Sequence, residues 1–273
     1  MLDLDKHGHF PSMERLSVLV ATILLAYALG HHLILPAHEA SLQLPGLYLV
    51  IRLNAYTLVT LIVAGLTATG ADWLLRDHPN LGKRSTLEHW LLPALTALVI
   101  GIPLFQAPLS TWWWAGFTLF GTLLILVLVA EYITVDPEDV RHPLAAAVLT
   151  VVSFALYLVL ASALRFSGCR LFLLLPSLTL AGGLVSLRTL RLRIPGQWSF
   201  LQAGVITIIT VQIAAALHYW PLSPVRFGLV LLGPAYCLTI LIGNIAEGEP
   251  FQQAAIEPLI VLASIWGAGL LIG

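Results

Sequence analysis

Charge is what this sequence is shortest of: 10% of its 273 residues are Asp, Glu, Lys or Arg, against 59% hydrophobic. A soluble domain carries about 25% charged residues, and a water-facing globule could not be covered with less than half that supply. Soluble enzymes and disordered chains are therefore excluded together. Cysteine is nearly missing as well. Cys169 and Cys237 form no metal-ligand spacing and no disulfide framework, and they read as small buried apolar residues. The sequence also lacks a P-loop, a nucleophile elbow, an HExxH and a GxGxxG; Gly182-Gly183 and Gly196 have no strand–turn–helix setting for phosphate. With 13 basic against 14 acidic residues there is no basic surface for nucleic acid.

What the chain has is long apolar runs, and a mean hydropathy of +0.92. A helix crossing a hydrocarbon core needs about 20 mostly apolar residues. Such runs fall near 16–36, 47–71, 89–105, 112–133, 144–165, 170–189, 200–219, 225–244 and 252–272. Stretches such as Leu123–Ala130 (LLILVLVA) show none of the alternation of a membrane β-barrel. The expected fold is an all-α, polytopic transmembrane bundle of about nine spans. Ala26-Tyr27-Ala28 resembles a cleavage site, but Asp3, Asp5 and Glu14 against Lys6 and Arg15 make a poor signal-peptide leader, so the first run counts as a span.

Basic residues set the orientation. With the N-terminus cytosolic, Lys6, Arg15, Arg76, Lys83, Arg84, Arg141, Arg188, Arg191 and Arg193 lie inside; Arg52, Arg165, Arg170 and Arg226 lie outside. The C-terminus is then external, and Glu39 is the one acidic residue on the outer side. Trp73, Trp90 and Trp198 fall at the inner boundary, and Trp112, Trp113, Trp114 and Trp220 at the outer one, as interfacial tryptophans do.

The chain also repeats itself. Pro108-Leu109-Ser110 followed by Gly116 and Gly121 matches Pro221-Leu222-Ser223 followed by Gly228 and Gly233. Arg52-Leu53 precedes Ala64-Gly65-Leu66 by the spacing at which Arg170-Leu171 precedes Gly182-Gly183-Leu184. Both matches lay spans one to four over spans five to eight, as parallel repeats with span nine left over. The expected division is a tail at 1–15, a first four-helix repeat at 16–133, an acidic loop at 134–143, a second repeat at 144–244 and a last span within 245–273. Gly116/Gly121 and Gly228/Gly233 should make equivalent helix–helix contacts in the two halves.

GADWLLRDHP (Gly70–Pro79), EHWLLPALTALVIG (Glu88–Gly101), AEYITVDPED (Ala130–Asp139) and YWPLSP (Tyr219–Pro224) resemble a bacterial family of polytopic membrane proteins. That family is labelled only as a domain of unknown function. The resemblance runs over most of the chain and implies a membrane fold. It implies no activity, cofactor or site residue.

Three groups of residues could carry chemistry. Asp136, Glu138 and Asp139, in the loop EYITVDPEDVRH, could hold Mg²⁺ against a diphosphate, or could simply turn the chain toward span five. Arg188, Arg191 and Arg193 fan over a helical extension and could contact anionic groups or lipid headgroups. Within the spans an ionisable group is costly, which singles out Glu257, followed by Pro258, together with Arg52 and Arg170 at matching places in the repeats. Arg52 and Arg170 could also snorkel outward. Asp77, His78 and His89 could relay protons or form a solvated loop. Gln202, Gln212 and Asn244 are expected to bond between helices. His31, His32 and His218 could ligate haem or zinc, but adjacent His31 and His32 point about 100° apart on a helix and cannot both face one site.

No metal site is expected, and the sequence names no cofactor. The expected surroundings are the lipid bilayer of the cell membrane, with protein partners within it. The leading reading is a non-enzymatic scaffold or subunit of a membrane assembly. A transporter or lipid-handling protein with a path between the repeats is the second. An enzyme acting on a lipid diphosphate at the cytosolic face is the third.

Overall fold

The computed structural model describes residues 10–33, 38–44, 47–53, 55–82, 85–194, 196 and 198–271, those of 38–55 by their backbone. They form α1 (Met13–His32), β1 (His38–Leu44), β2 (Leu47–Leu53), α2 (Ala55–Leu75), α3 (Leu87–Gln106), α4 (Thr111–Ile133), α5 (His142–Phe166), α6 (Leu171–Arg193), α7 (Phe200–Leu217), α8 (Pro224–Ala246) and α9 (Phe251–Leu271). Each of the nine helices is long and apolar enough to cross a membrane. A polytopic helical bundle is the architecture, and a bilayer suits it. Leu61, Ile62, Leu119, Val151, Leu201, Leu270 and many other large apolar side chains face outward, which water would penalise and hydrocarbon does not.

Inside a bilayer every backbone polar group must be satisfied within the protein, most simply within its own helix. Side-chain hydroxyls follow suit. Thr67, Thr96, Ser153, Thr207, Thr210 and Thr239 are all buried, and each donates to the carbonyl four residues earlier at 2.7 Å. They occupy the interior without needing a partner helix.

Two spans start more than a residue or two from where they were expected: α1 is Met13–His32 rather than 16–36, and the second span differs most. The run 47–71 does not begin a helix at residue 47: Leu47–Leu53 pairs as β2 with β1, antiparallel, from His38 opposite Leu53 to Leu44 opposite Leu47. The 21 residues of α2 already suffice for a crossing. That leaves LYLVIRL, rich in β-branched and aromatic residues, free to form a strand. Arg52 therefore stands in β2, paired in register with Glu39, three residues before α2.

The chain divides into two compact units, Met1–His142 and Pro143–Gly273. In the first, Leu16, Leu19, Val20 and Ile23 of α1 pack with Val63, Leu74 and Leu75 of α2 and Leu124 and Leu128 of α4. Tyr27 lies at the centre, 1% exposed, its hydroxyl donating to the Ala97 carbonyl at 2.5 Å and its ring edge-on to Phe120. Helix α2 packs on α1, α3 and α4, and α4 also packs on α1 and α3.

In the second unit α6 packs on α7 and α8, and α7 on α8. Helix α5 meets α6 where Tyr157 lies against Gly182, and α8 where Leu158 and Ser162 cover Gly228 and Phe154 meets Tyr236. Arg165 closes the far end of α5, donating to the carbonyls of His218 and Trp220, with its guanidinium 5.3 Å over the Phe227 ring.

The glycines paired by the expected repeat do not make equivalent contacts. Gly116 has open space where a Cβ would be, and Gly121 meets Leu24 of α1. Gly228 meets α5, whereas Gly233 lies under Leu262 and Trp266 of α9. The ninth helix has no counterpart in the first unit and occupies the place over Gly233 for itself.

Candidate functional site

Within each unit the helices alternate in direction, so the first helix of that unit starts, and its even-numbered helices end, at one shared end, called here that unit's leading end. Polar side chains collect at both leading ends, in two different arrangements.

In the first unit the arrangement is closed. Glu131 lies in the last turn of α4 and is 1% exposed; its Oε2 is 2.7 Å from Nδ1 of His89, in the first turn of α3 and also buried. Glu88 lies on the other side of that ring, 3.7 Å from Nε2. Burying this pair is costly unless its geometry is good and its remaining atoms are satisfied. Glu131 falls inside the run 112–133 read as a span, but nothing near it in the sequence named His89 as its partner.

The surrounding loops are held by their own polar groups. Nδ1 of the buried His78 accepts from the Asn80 amide at 3.1 Å, and its ring packs 4.7 Å from Tyr132. Asp77 pairs with Arg15 at 2.8 Å. Asp72 accepts from Thr86 and Arg76. Of the residues read as a possible relay, Asp77 meets Arg15, His78 meets the Asn80 amide and Tyr132, and His89 meets Glu131.

The acidic loop is likewise engaged internally. Asp136 accepts from Asn80 at 2.6 Å and from the Glu138 amide at 3.0 Å. Asp139 accepts from Arg141 at 2.7 Å and holds that guanidinium above its ordinary pKa, chiefly through the hydrogen bond. Glu138 is exposed. These bonds describe a loop that turns the chain from α4 to α5.

In the second unit the arrangement is open, and its framework is made by two prolines. Pro258 in α9 has no N–H for the Ala254 carbonyl four residues back. Asn244 of α8 supplies it, its Nδ2 donating at 3.1 Å. Pro234 in α8 leaves the Val230 carbonyl bare in the same way, and Trp266 of α9 donates to it at 3.3 Å. Each helix mends the other's break. Among the pairs within this unit, α8 and α9 are the most extensively packed.

On that latch sits Arg193, the last residue of α6. It donates to Oδ1 of Asn244 at 2.5 Å and lies 3.7 Å from the Glu247 carboxylate. Gly243 lets it lie flat, since a Cβ there would come within 2.8 Å of the Arg193 Cδ. Arg193, Asn244, Glu247, Glu249, Gln253 and Glu257 line an open cavity of about 620 Å³, walled on its apolar side by Ile256, Ile260 and Val261.

The three arginines separate. Arg188 is 3% exposed, inside the unit rather than at a headgroup surface. Arg191 stacks over Trp198 at 5.6 Å, and Arg193 alone reaches the cavity. Glu257 shares that cavity, about 9 Å along α9 from its first residue at a rise of 1.5 Å. Arg170 is the residue preceding α6 and Arg52 the third before α2, so neither lies within a helical span, and the side chain of Arg52 is outside the described residues. His31 stacks on Phe105 and His32 is exposed. Cys169 and Cys237 are both free thiols, and Cys237 is buried. Of the three amides expected between helices, Asn244 is there; Gln202 and Gln212 instead face outward from α7.

The model of the family described as "Protein of unknown function (DUF5656)" matches residues 35–272, from just after α1 to the end of α9, and the chain belongs to that family. No curated protein and no solved structure matches it.

Proposed function

We propose that this chain is a non-enzymatic subunit of a membrane assembly, that it self-associates through α7, and that it lies in the cell membrane with its N-terminus cytosolic and its C-terminus external. Gln212 carries the reading. It is exposed on α7, about 7–8 Å inside the helix end at Leu217, on a face shared with Val205, Ile208 and Ile209. A primary amide in hydrocarbon needs partners, and across helices it finds them in another amide. A two-fold axis along the membrane normal brings Gln212 of two copies to the same depth, where each amide both donates and accepts.

The same proposal holds that α1–α4 and α5–α8 descend from one duplicated unit. Part of the packing supports it: α2–α3, α3–α4 and α2–α4 have counterparts in α6–α7, α7–α8 and α6–α8, and α1–α4 has a slighter one where α5 covers Gly228 of α8, while the extensive α1–α2 contact is not matched by α5–α6. The orientation rests on nine of the 13 basic residues falling on the N-terminal side. A second reading, lipid handling, is favoured by the open cavity at the leading end of the second unit.

The test is cross-linking in bilayers between single cysteines placed at Ile209, in a background without Cys169 and Cys237. Wild type should cross-link as a dimer, and Gln212→Leu should weaken association by about 3- to 20-fold, as an interhelical hydrogen bond of about 0.6–1.7 kcal/mol requires. Equal cross-linking of the two would refute the role of Gln212, and no cross-linking in either would refute the assembly.

A further inference from the structure

We infer that the cavity at the leading end of α6, α8 and α9 binds the headgroup of a zwitterionic phospholipid carrying a primary ammonium, with the phosphate on Arg193, the ammonium on Glu257 and an acyl chain along Ile256 and Ile260. This site is independent of the self-association proposed for α7: it is built from other helices and would stand if that reading fell.

The cationic side of the cavity has donors to spare. A guanidinium carries five N–H donors in a fixed fork that suits phosphate oxygens. Among the described residues, Arg193 uses only one of its three nitrogens, Nη1, which serves both Asn244 and Glu247. Nε and Nη2 remain for a ligand. The guanidinium is also fixed in place, since Asn244 is buried and tied to the Ala254 carbonyl that Pro258 leaves bare, and Gly243 forms the floor under the arginine side chain. Such fixing lowers the entropy lost on binding.

The anionic side has the opposite need. Glu257 has no hydrogen bond or ion pair among the described residues, yet lies well within α9 and not at its start. Glu247 and Glu249 line the same cavity, so three carboxylates face one arginine. An anionic lipid would satisfy Arg193 and leave Glu257 facing added negative charge. A simple cation would satisfy Glu257 and leave the fork of Arg193 unused. A zwitterion satisfies both, and a primary ammonium can donate three hydrogen bonds to carboxylates where a trimethylated one donates none.

The third side is apolar. Ile256 and Ile260 are exposed, one turn apart on α9, and continue from the cavity along the outward face toward Leu270 and Leu271. That is the track an acyl chain needs below a headgroup at the bilayer boundary. Charge of both signs at one end of an apolar groove matches an amphiphile better than any water-soluble ligand.

The experiment is native mass spectrometry of the detergent-purified full chain titrated with phosphatidylethanolamine, phosphatidylcholine and phosphatidylglycerol of one acyl composition. Phosphatidylethanolamine should bind best, and Glu257→Gln should lower its affinity about fivefold, to the level of phosphatidylcholine, with phosphatidylglycerol unchanged or tighter. Because Glu257 is exposed and unbonded, the variant should keep the wild-type unfolding temperature. Arg193→Lys, which keeps the charge but loses the fork, should weaken both ethanolamine and choline lipids. Equal binding of all three lipids by wild type overturns the proposal. So does an ethanolamine preference that survives Glu257→Gln, and so does a preference for phosphatidylglycerol in wild type.

Discussion

The two units share part of their helix packing, differ in that α1 packs extensively on α2 whereas α8 packs on α9, and finish their leading ends in opposite ways. The first seals its end with a buried His89–Glu131 pair and loops whose acids and bases are joined to one another. The second leaves its end open, with Arg193 and Glu257 lining a common cavity. The difference is instructive because it lies in the fourth helix of each unit. Glu131 closes α4 by reaching α3, whereas Asn244, at a similar place near the end of α8, reaches α9 and Arg193 instead. A ninth helix, held by two proline breaks, turns what could have been a plugged end into a recess.

The comparison can be broken most severely at the closed end. Glu131→Ala should remove the carboxylate that meets the buried His89 and cost about 3–5 kcal/mol, read as a fall in unfolding midpoint in detergent. Replacing both residues together by Leu should cost much less than that. At the open end the largest effect belongs to the latch. Asn244→Ala bares the Ala254 carbonyl and removes the support of Arg193, for about 1–3 kcal/mol, and Trp266→Phe should cost about 1 kcal/mol by baring Val230. The smallest effect belongs to the loop. Asp136→Ala breaks exposed bonds and should stay within about 1 kcal/mol, while leaving the Glu131–His89 pair as it is. A loss as large as that of Glu131→Ala would mean that the loop, and not the pair, closes the first unit.

The spans were legible because a crossing is written locally. Twenty apolar residues in a row need no distant partner to be recognised. The same locality produced the most misplaced boundary. Leu47–Leu53 is as apolar as the start of a helix, and only its pairing with His38–Leu44 shows it to be a strand. The sites were less legible for the same reason. Pro258 announced a bare carbonyl, but nothing near it named Asn244 as the donor. Glu131 meets His89 across 42 residues, and Arg193 meets Asn244 across 51. Charge patterning grouped Arg188, Arg191 and Arg193 by their neighbourhood in sequence, whereas one lies inside the unit, one over Trp198 and one in the cavity. Glycine spacing grouped Gly116 with Gly228, whose surroundings differ. Where the chain interacts with itself at long range, residue types suggested the bond and folding chose the partner.

The contrast of a sealed and an open end is tested most directly by the reactivity of two single cysteines, Thr134→Cys in the first unit and Gln253→Cys in the second, in a background without Cys169 and Cys237. Thr134 is 8% exposed at the end of α4, and Gln253 lines the cavity. With a membrane-impermeant maleimide added to the detergent-solubilised full chain, the cysteine at 253 should react at least about tenfold faster than the one at 134, the ratio expected if the latter is reached only through an opening that costs about 1.4 kcal/mol. Equal rates at the two positions would contradict the account.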